Sequence, residues 1–525
     1  MKIPWPSIAK LGIVRDVKDY LLPLNAWTEG RGIRFQDEGI VRSKGYQEVM
    51  QGCPVAPYWL LHAFDLARES HWLVAGLGKV YDYSAGGYTE ITKLATTYGA
   101  EEDTIWNGGL LGNIPVLNNG RNKPQMWAPI ASATRLVDLS NWPATHLATV
   151  VKPFKEFLFA LDITEGGTRF PHRVRISHPA APGSVPSSWD DTDPTKSVYA
   201  KDLSEYAGGF VLDCQGLGPY CIVYKEHSTH YFQFIGGANK WKNDVIFDKI
   251  GILDTHCVVP FAQNAQHFVM TGDDVIYHNA QAPTSILTKR GRRWLQANLS
   301  ASTYKRSFCV HNEAEGECWF CFPTEGSSWP TLALIWNYRE NTVTYRELDN
   351  VSFISGGSVQ QSVGDTWDTD VDSWDADLTP WDTFTHPPFI TRLVGAKPTA
   401  SKHFHFDMTE QANGSNFRAY VERTGLDAIG VTRDGEIIRN REAMRFLRRI
   451  YIQAQGAPFD VWIATQQEND GAVTWQNEGT FTPGSDQFVD IGRSTKLWGM
   501  RFESQANASW TIEGLEPDIE PLGEY

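Results

Sequence analysis

Short apolar runs separated by glycine-containing turns recur along the chain, and helical periodicity is scarce. The runs at 71–76 and 79–83 are separated by Leu77 and Gly78, and Gly86 and Gly87 lead into a third run at 88–92. Glycine supplies the positive φ that two-residue hairpin turns need. Similar units follow at 112–117, 157–162, 210–224, 231–234, 267–277, 318–322 and 332–345. The pattern predicts a protein built almost wholly from β-hairpins.

These units begin roughly 45 to 60 residues apart, which is near the length of a four-stranded propeller blade. Each unit has one apolar face that radial stacking of blades would bury. The units match in pattern and not in sequence, and they lack both the WD40 signature and Asp boxes. A sandwich or barrel built from the same strands is the alternative. We predict a β-propeller.

Two stretches interrupt this series of hairpin units. Residues 179–194 are rich in proline and predict an irregular surface loop, and 356–388 are rich in Trp and Asp and predict a loop or linker. Beyond the second stretch, seven short runs fit a β-sandwich. The predicted division is an N-terminal segment (1–45), a propeller (46–355), the linker (356–388) and a sandwich-like domain (389–525). The fold class is therefore all-β, a β-propeller with an additional β-sandwich-like domain.

Composition agrees with this fold class. The 525 residues include 45 Gly, 28 Pro, 20 Trp, 19 Tyr and 26 Phe, and the formal net charge is −15. The densest basic stretch, 289–293, is short and predicts a solvated hairpin end. An acidic surface repels DNA, which argues against tight phosphate binding and suits a conduit along which DNA slides.

Seven cysteines do not indicate a disulfide framework, because their number is odd and their density low. Cys318 and Cys321 have the spacing of half a zinc or redox site. They lie on a predicted strand, where residues three apart point to opposite faces. We expect buried apolar thiols rather than a metal site.

Other candidate chemistry is sparse. Asp190–Asp191 and Asp273–Asp274 are carboxylate pairs in turn-like contexts, where Asp supports its own backbone. Strand alternation puts His403, His405 and Asp407 on one face, which a metal would accept. A solvated strand face alternating with buried Phe404 and Phe406 is the favoured interpretation. Nucleophile and nucleotide-binding motifs are absent from the sequence. We expect no enzyme activity, no catalytic residues, no cofactor and no metal.

Residues 1–6 lack the apolar run of a signal peptide, and no run of about 18 apolar residues occurs. We expect no transmembrane helix and assembly in a cytoplasm.

Several phrases, taken in order, resemble virion proteins of short-tailed bacteriophages. They lie at 24–35 with 37–46, at 152–158, at 171–177 with the Trp189 loop, and at 333–338 with 342–345. The family they resemble is the podophage tail nozzle (tail tubular protein B-like) and tail-hub group. The resemblance implies a homohexameric ring in the virion tail that forms part of a DNA ejection channel. It also implies contacts with a head–tail adaptor and with tail fibres or spikes, and passage of genomic DNA without sequence-specific binding.

The Trp-Asp repeats at Trp367, Trp374 and Trp381 are similar to a loop of that family. Such aromatic side chains are costly to leave in water. Contact with a neighbouring subunit is the favoured interpretation, and packing onto the propeller and glycan binding are alternatives. For the whole chain, a carbohydrate-binding or carbohydrate-cleaving propeller is the alternative function. A receptor-binding or adaptor protein of the same virion is a third.

Overall fold

A computed structural model describes residues 2–5, 7–204, 208–237, 239–359, 391–432, 437–468 and 471–524. Within these residues, strands form seven four-stranded antiparallel sheets, two five-stranded sheets and one small hairpin. In the described part of the chain, helix is confined to Arg292–Asn298 and to the 3₁₀ turns Asp19–Leu21, Tyr304–Arg306 and Pro398–Ala400. The prediction of an all-β protein is confirmed.

The seven four-stranded sheets are the blades of a β-propeller, numbered here 1 to 7 along the chain. Blade 1 contains Trp59–Phe64, Ser70–Ala75, Val80–Ser84 and Gly87–Glu90. Blade 2 contains Asn107–Leu111, Ile114–Asn118, Gln125–Met126 and Val137–Asp138. Blade 3 contains His146–Phe154, Phe157–Glu165, Thr168–Ile176 and Tyr199–Asp202. Blade 4 contains Val211–Leu217, Tyr220–Lys225, Ser228–Phe234 and Trp241–Asp248.

Blade 5 contains Val258–Phe261, Gln266–Met270, Val275–His278 and Thr284–Ser285. Blade 6 contains Phe308–Asn312, Glu317–Phe322, Leu332–Asn337 and Thr342–Glu347. Blade 7 contains Phe353–Gly357, Arg392–Lys397, Lys402–Phe406 and Tyr46–Val49. The first-named strand of each blade contacts the first-named strands of its two neighbours, so these seven strands surround the axis.

Blade 7 closes the ring, because its outermost strand comes from the start of the chain. Tyr46–Val49 pairs antiparallel with Lys402–Phe406, with Tyr46 opposite Phe406 and Val49 opposite His403. The Tyr46 ring lies 4.9 Å from that of Phe404. A sheet shared between the two ends of the propeller removes the edge at which the ring would otherwise open.

The two five-stranded sheets form the predicted β-sandwich. One sheet contains, in spatial order, Glu29–Arg31, Ala419–Leu426, Leu497–Ser504, Phe459–Gln466 and Thr474–Phe481. The other contains Ile33–Gln36, Gly39–Arg42, Trp510–Glu524, Ala443–Gly456 and Phe488–Thr495. The small hairpin joins Ala428–Val431 to Ile437–Arg439. Alternate residues such as Val421, Val461 and Leu447 are fully buried, as the inner faces of a sandwich require.

The predicted domain boundaries require correction. Phe353–Gly357 pairs with Arg392–Lys397 in one blade, so the predicted linker at 356–388 interrupts blade 7 and does not separate two domains. Strands within 392–406 belong to the propeller, and strands within 29–42, predicted as part of a separate segment, belong to the sandwich. Sequence periodicity identifies strands, but pairing partners hundreds of residues apart decide which sheet each strand joins.

Candidate functional site

A funnel of about 710 Å³ opens on the propeller axis, and we call it the axial funnel. It lies on the face where the chain enters the innermost strand of each blade. All seven blades contribute to its wall, represented in order by Tyr58, Thr104, Thr149, Phe210, Asp254, Tyr304 and Ser352. Propellers commonly place ligand sites at this position because loops from every blade converge there.

His256 closes the floor of the axial funnel. Its Nε2–H donates a hydrogen bond of 2.8 Å to the carbonyl oxygen of Trp106, which joins blade 5 to blade 2 across the axis. Its backbone N–H donates to Oδ2 of Asp213 at 2.9 Å. The Phe353 ring of blade 7 packs against the imidazole at 5.1 Å. Burial lowers the pKa of His256 to about 4, so the ring is neutral near pH 7.

Asp254 places a carboxyl group beside this floor. The residue is 8% exposed, and its Oδ1 accepts a hydrogen bond of 2.7 Å from the backbone N–H of Thr255. Burial raises the pKa of Asp254 to about 6, with Glu226 and Asp213 adding to the effect and Lys305 opposing it. A carboxyl group with a pKa near 6 can hold or release a proton at neutral pH, as a general acid must.

Aromatic and basic side chains form the rim. The Tyr58 ring lies 5.2 Å from that of Trp329, and the Arg306 guanidinium stacks 4.2 Å above Trp329. Arg306 also donates to Glu102 at 3.4 Å, which links blade 6 to the segment before blade 2. Flat aromatic faces beside charged hydrogen-bonding groups are suited to a polar ligand with apolar faces, such as a sugar ring.

A second acid in the wall is already paired. Asp162 of blade 3 accepts two hydrogen bonds from Arg169, at 2.8 and 2.5 Å, and a third from Thr149. The Arg169 guanidinium lies 5.0 Å from the ring of Phe210, which is 42% exposed. A bidentate guanidinium thus engages the Asp162 carboxylate, whereas the Asp254 carboxyl accepts a hydrogen bond from a backbone N–H.

A buried ion network joins the two domains, and we call it the domain junction. Arg34 of the sandwich donates to both carboxylate oxygens of Glu317 in blade 6, at 2.6 and 3.0 Å. The same guanidinium donates to Asp407, just after blade 7, at 2.9 Å. Arg346 of blade 6 donates to the other oxygen of Asp407 at 2.8 Å. The indole N–H of Trp319 donates to Glu317 at 2.9 Å.

The Asp407 carboxylate at the domain junction stays ionised. Burial alone would raise the pKa of Asp407, but Arg34 and Arg346 outweigh burial and hold that pKa well below its usual range. The Arg346 guanidinium also donates to the backbone carbonyls of Lys44 and Gly45, in the segment between the sandwich and blade 7. The junction therefore connects the sandwich, two blades and the chain segment that crosses between them.

The metal interpretation of His403, His405 and Asp407 fails, because these residues do not share a vacant site. Asp407 is occupied by two guanidinium groups, and Nδ1 of His403 lies 3.1 Å from the hydroxyl of Tyr88. The favoured interpretation of a solvated strand face is also wrong. His403 and His405 are as buried as Phe404 and Phe406, because blade 7 packs on both faces.

Other sequence predictions are confirmed in geometry. Cys318 belongs to the apolar core shared with the sandwich, whereas Cys321 belongs to the core between blades 6 and 7, so the two thiols lie on opposite faces of one strand. Asp273 and Asp274 lie in the turn after Gln266–Met270. Asp190 accepts hydrogen bonds from Thr192 in an exposed turn. Trp367, Trp374 and Trp381 lie outside the described residues.

Comparisons with known proteins give likeness of fold only. No family model matches the chain, and no curated protein matches it. Among solved structures, Chaetomium thermophilum Raptor is 7% identical, with a TM-score of 0.41 over 70% of this chain and 30% of that chain. The Myceliophteria thermophila Cps50 (Swd1) β-propeller domain is 11% identical, with a TM-score of 0.29 over 61% of this chain and 98% of that chain. The chain thus spans less than a third of the Raptor chain.

Sequence reasoning missed the axial funnel. Asp254 and His256 directly precede the inner strand Val258–Phe261, and Thr104 and Trp106 precede Asn107–Leu111. The sequence does contain a signal for the funnel, because polar and aromatic residues lie immediately before predicted inner strands. Among the described residues, no helix has the length and hydropathy to cross a membrane.

Proposed function

We propose that this protein is a structural subunit of a short-tailed bacteriophage tail, at the nozzle or hub, and that copies of it assemble into a ring. The observation that carries this proposal is the position of the phage-like phrase at 24–46. That phrase supplies sandwich strands Ile33–Gln36 and Gly39–Arg42 and then reaches Tyr46, where blade 7 closes. The first of the segments that resemble the family is therefore the one that connects the two domains.

The domain junction supports a mechanical role for the subunit. Arg34, Glu317, Asp407 and Arg346 are buried and interconnected, so relative movement of the domains would separate charges in a low-dielectric interior. Small inter-domain interfaces usually permit motion, whereas a continuous apolar core and an ion network oppose it. Here one apolar core includes Phe502 of the sandwich and Phe320 of blade 6. A rigid two-domain subunit can transmit force between neighbours in a ring.

The propeller axis is too obstructed for DNA. The hydrogen bond from His256 to Trp106 crosses it, and Phe353 packs beside that bond. In the proposed ring, DNA passes through the central opening that the subunits surround. It moves along the outer surfaces of the subunits that face this opening. The formal charge of −15 keeps those surfaces from binding phosphates, so the genome slides. The proposed partners are further copies of the chain, a head–tail adaptor, and tail fibres or spikes, with the virion tail as location.

The test is the mass of the purified chain as a function of concentration, measured by light scattering and accompanied by negative-stain images. A ring is expected, with a mass near six times 59.0 kDa if the ring is hexameric. A closed ring requires heterologous interfaces whose rotation returns to the start. A monomer at the highest attainable concentration, with no ring in the images, would contradict self-assembly.

A carbohydrate-binding or carbohydrate-cleaving propeller is the second candidate, and the axial funnel favours it. Phe210 lines the funnel and is 42% exposed, so it offers an aromatic face, and Asp254 offers a carboxyl group with a pKa of about 6. A glycan array, followed by assays for cleavage of any bound glycan, tests this function. Phe210→Ala would weaken binding by about 1–3 kcal/mol if sugars stack there. The matched control is Trp294→Ala, since Trp294 packs against Tyr345 away from the funnel.

A further inference from the structure

We propose that Asp65, Glu69 and His71 of blade 1 bind one divalent metal ion of the zinc class. One ligand atom from each side chain lies within 4.8 Å of the other two. The three residues belong to the hairpin between Trp59–Phe64 and Ser70–Ala75. Trp59–Phe64 begins at the axial funnel and runs away from it, so this hairpin lies on the opposite face of the propeller. The inference does not depend on the proposed function.

His71 is oriented as metal-binding histidines are. Its Nδ1 lies 3.0 Å from both carboxylate oxygens of Asp82, which is fully buried and also accepts a hydrogen bond of 2.8 Å from Ser84. The Trp127 ring packs edge-on against the imidazole at 5.5 Å. A carboxylate that accepts the Nδ1–H fixes the tautomer and directs the lone pair of Nε2 outward, and this is the usual outer-shell arrangement at zinc sites.

The Nε2 edge of the His71 imidazole faces the carboxylates of Asp65 and Glu69. His71 is 4% exposed, and its Nε2 lies 3.9 Å from Oδ2 of Asp65, which is too far for a hydrogen bond. Among the described residues, Nε2 makes no hydrogen bond. The negative charges of Asp82, Asp65 and Glu69 around this ring favour a cation beside it.

The turn brings the two carboxylates together. The backbone N–H of Asp65 donates to the carbonyl of Glu69 at 3.1 Å, and that of Glu69 donates to Oδ1 of Asp65 at 2.7 Å. Arg68 has a φ of +65°, which reverses the chain just before Glu69. Oδ1 of Asp65 is thereby engaged within the turn, and Oδ2, the oxygen nearest His71, is left to bind a metal. Glu69 is exposed and the Asp65 side chain is 19% exposed, so an ion can reach the site from solvent.

The donor set selects the class of metal. One imidazole and two carboxylates suit Zn²⁺, which binds nitrogen and oxygen at about 2.0–2.2 Å and accepts three protein ligands with a water in the fourth position. Calcium takes 6–8 oxygen ligands and is poorly served by an imidazole. The three ligand atoms lie within 4.8 Å of one another, so the Asp65 and Glu69 carboxylates would rotate inward to close around an ion beside the fixed His71 ring.

The experiment is a calorimetric titration of the chelator-stripped full chain with Zn²⁺, and a separate titration of the metal-free chain with Co²⁺ that records the visible absorption of the bound ion. One ion per chain is expected. Glu69→Gln alters only an exposed side chain, so its fold should be kept, and it should weaken binding about 10-fold or more. Asp82→Asn should weaken binding about 10–100-fold without removing a ligand. Glu90→Gln, in the same blade but paired with Lys79, is the matched control and should bind as the unmodified chain does.

Absence of Zn²⁺ binding by the unmodified chain would overturn the proposal. Equal binding by Glu69→Gln and the unmodified chain would also overturn it, because the ion would then belong to another site such as a cysteine thiol. Thermal unfolding with and without Zn²⁺ provides a second readout. The ion should raise the melting temperature of the unmodified chain and of Glu90→Gln, but not that of Asp65→Asn/Glu69→Gln.

Discussion

The domain junction and the axial funnel each bury an aspartate, yet the two carboxyl groups behave oppositely. Asp407 is 5% exposed and Asp254 is 8% exposed, so burial alone does not separate them. Two guanidinium groups hold the pKa of Asp407 well below its usual range. Asp254 accepts a backbone hydrogen bond but has acidic neighbours in Glu226 and Asp213, and burial raises its pKa to about 6.

The comparison shows that buried charged groups stabilise the fold in one region of this protein and remain open to a ligand in another. Charges at the domain junction satisfy one another, so they hold the domains in place and leave little to offer a ligand. Asp254 is incompletely compensated, and the folded state retains it at a cost in stability. Buried ionisable groups that the folded state retains at such a cost are commonly found at functional sites. The junction therefore bears on assembly, and the funnel on ligand binding.

The largest effect should come from Arg34→Met, which leaves Glu317 and one oxygen of Asp407 buried without their partner. Loss of one member of a buried ion network typically costs about 3–5 kcal/mol. Chemical denaturation followed by tryptophan fluorescence measures this loss. A change in the free energy of unfolding below about 1 kcal/mol would show that the junction contributes little to stability. The contrast drawn between the junction and the funnel would then be wrong.

An intermediate and pH-dependent effect is expected for Asp254→Asn. The folded pKa of about 6 lies above the ordinary value of 3.8, so the folded state holds its proton more tightly than the unfolded state between these values. Stability from this group is therefore greatest below about pH 4 and is lost as pH rises towards 6. Asparagine removes this loss, so the variant should gain up to about 3 kcal/mol relative to the unmodified chain between pH 4 and 7.

The measurement is the free energy of unfolding of both proteins across that pH range, compared as a difference. Titrating groups that do not interact with Asp254 cancel in the difference because both proteins share them. Asp407 is one of these: its lowered pKa gives stability that is present above about pH 4 and lost at lower pH in both proteins. A pH-independent difference between the unmodified chain and Asp254→Asn would contradict the assigned protonation of Asp254.

The smallest effect should come from Arg31→Met, the matched control for Arg34→Met. Arg31 lies in the neighbouring sandwich strand and also reaches blade 6, where it donates to Glu347 at 3.0 Å. Glu347 is 75% exposed, so water screens the pair and the expected loss is about 0–1 kcal/mol. Equal losses for the two arginine variants, measured by the same denaturation, would mean that general packing and not buried charge sets the strength of the junction.

The sequence predicted the strand content and the two architectural units, but not their limits or the site. Hairpins such as Phe157–Glu165 with Thr168–Ile176 follow from local alternation and from Gly166 and Gly167 at the turn. The opposite facing of Cys318 and Cys321 follows from the two-residue period of a strand. The assignment of 392–406 to a second domain failed because nothing local indicates that Lys402–Phe406 pairs with Tyr46–Val49. The prediction that His403 and Asp407 lie on a solvated strand face was wrong for the same reason, since their partners come from other blades and from the sandwich.

Alternating apolar residues and glycine turns determined, by sequence alone, that this chain is all-β and has enough repeating hairpins for a propeller. These are local properties, because backbone sterics and side-chain period act over a few residues. Only the tertiary structure decided that Arg34 meets Glu317, that His256 crosses the axis to Trp106, and that Asp254 is buried beside other acids. Charge pairing and desolvation depend on distances between residues far apart in the chain, and those distances exist only once the blades have closed.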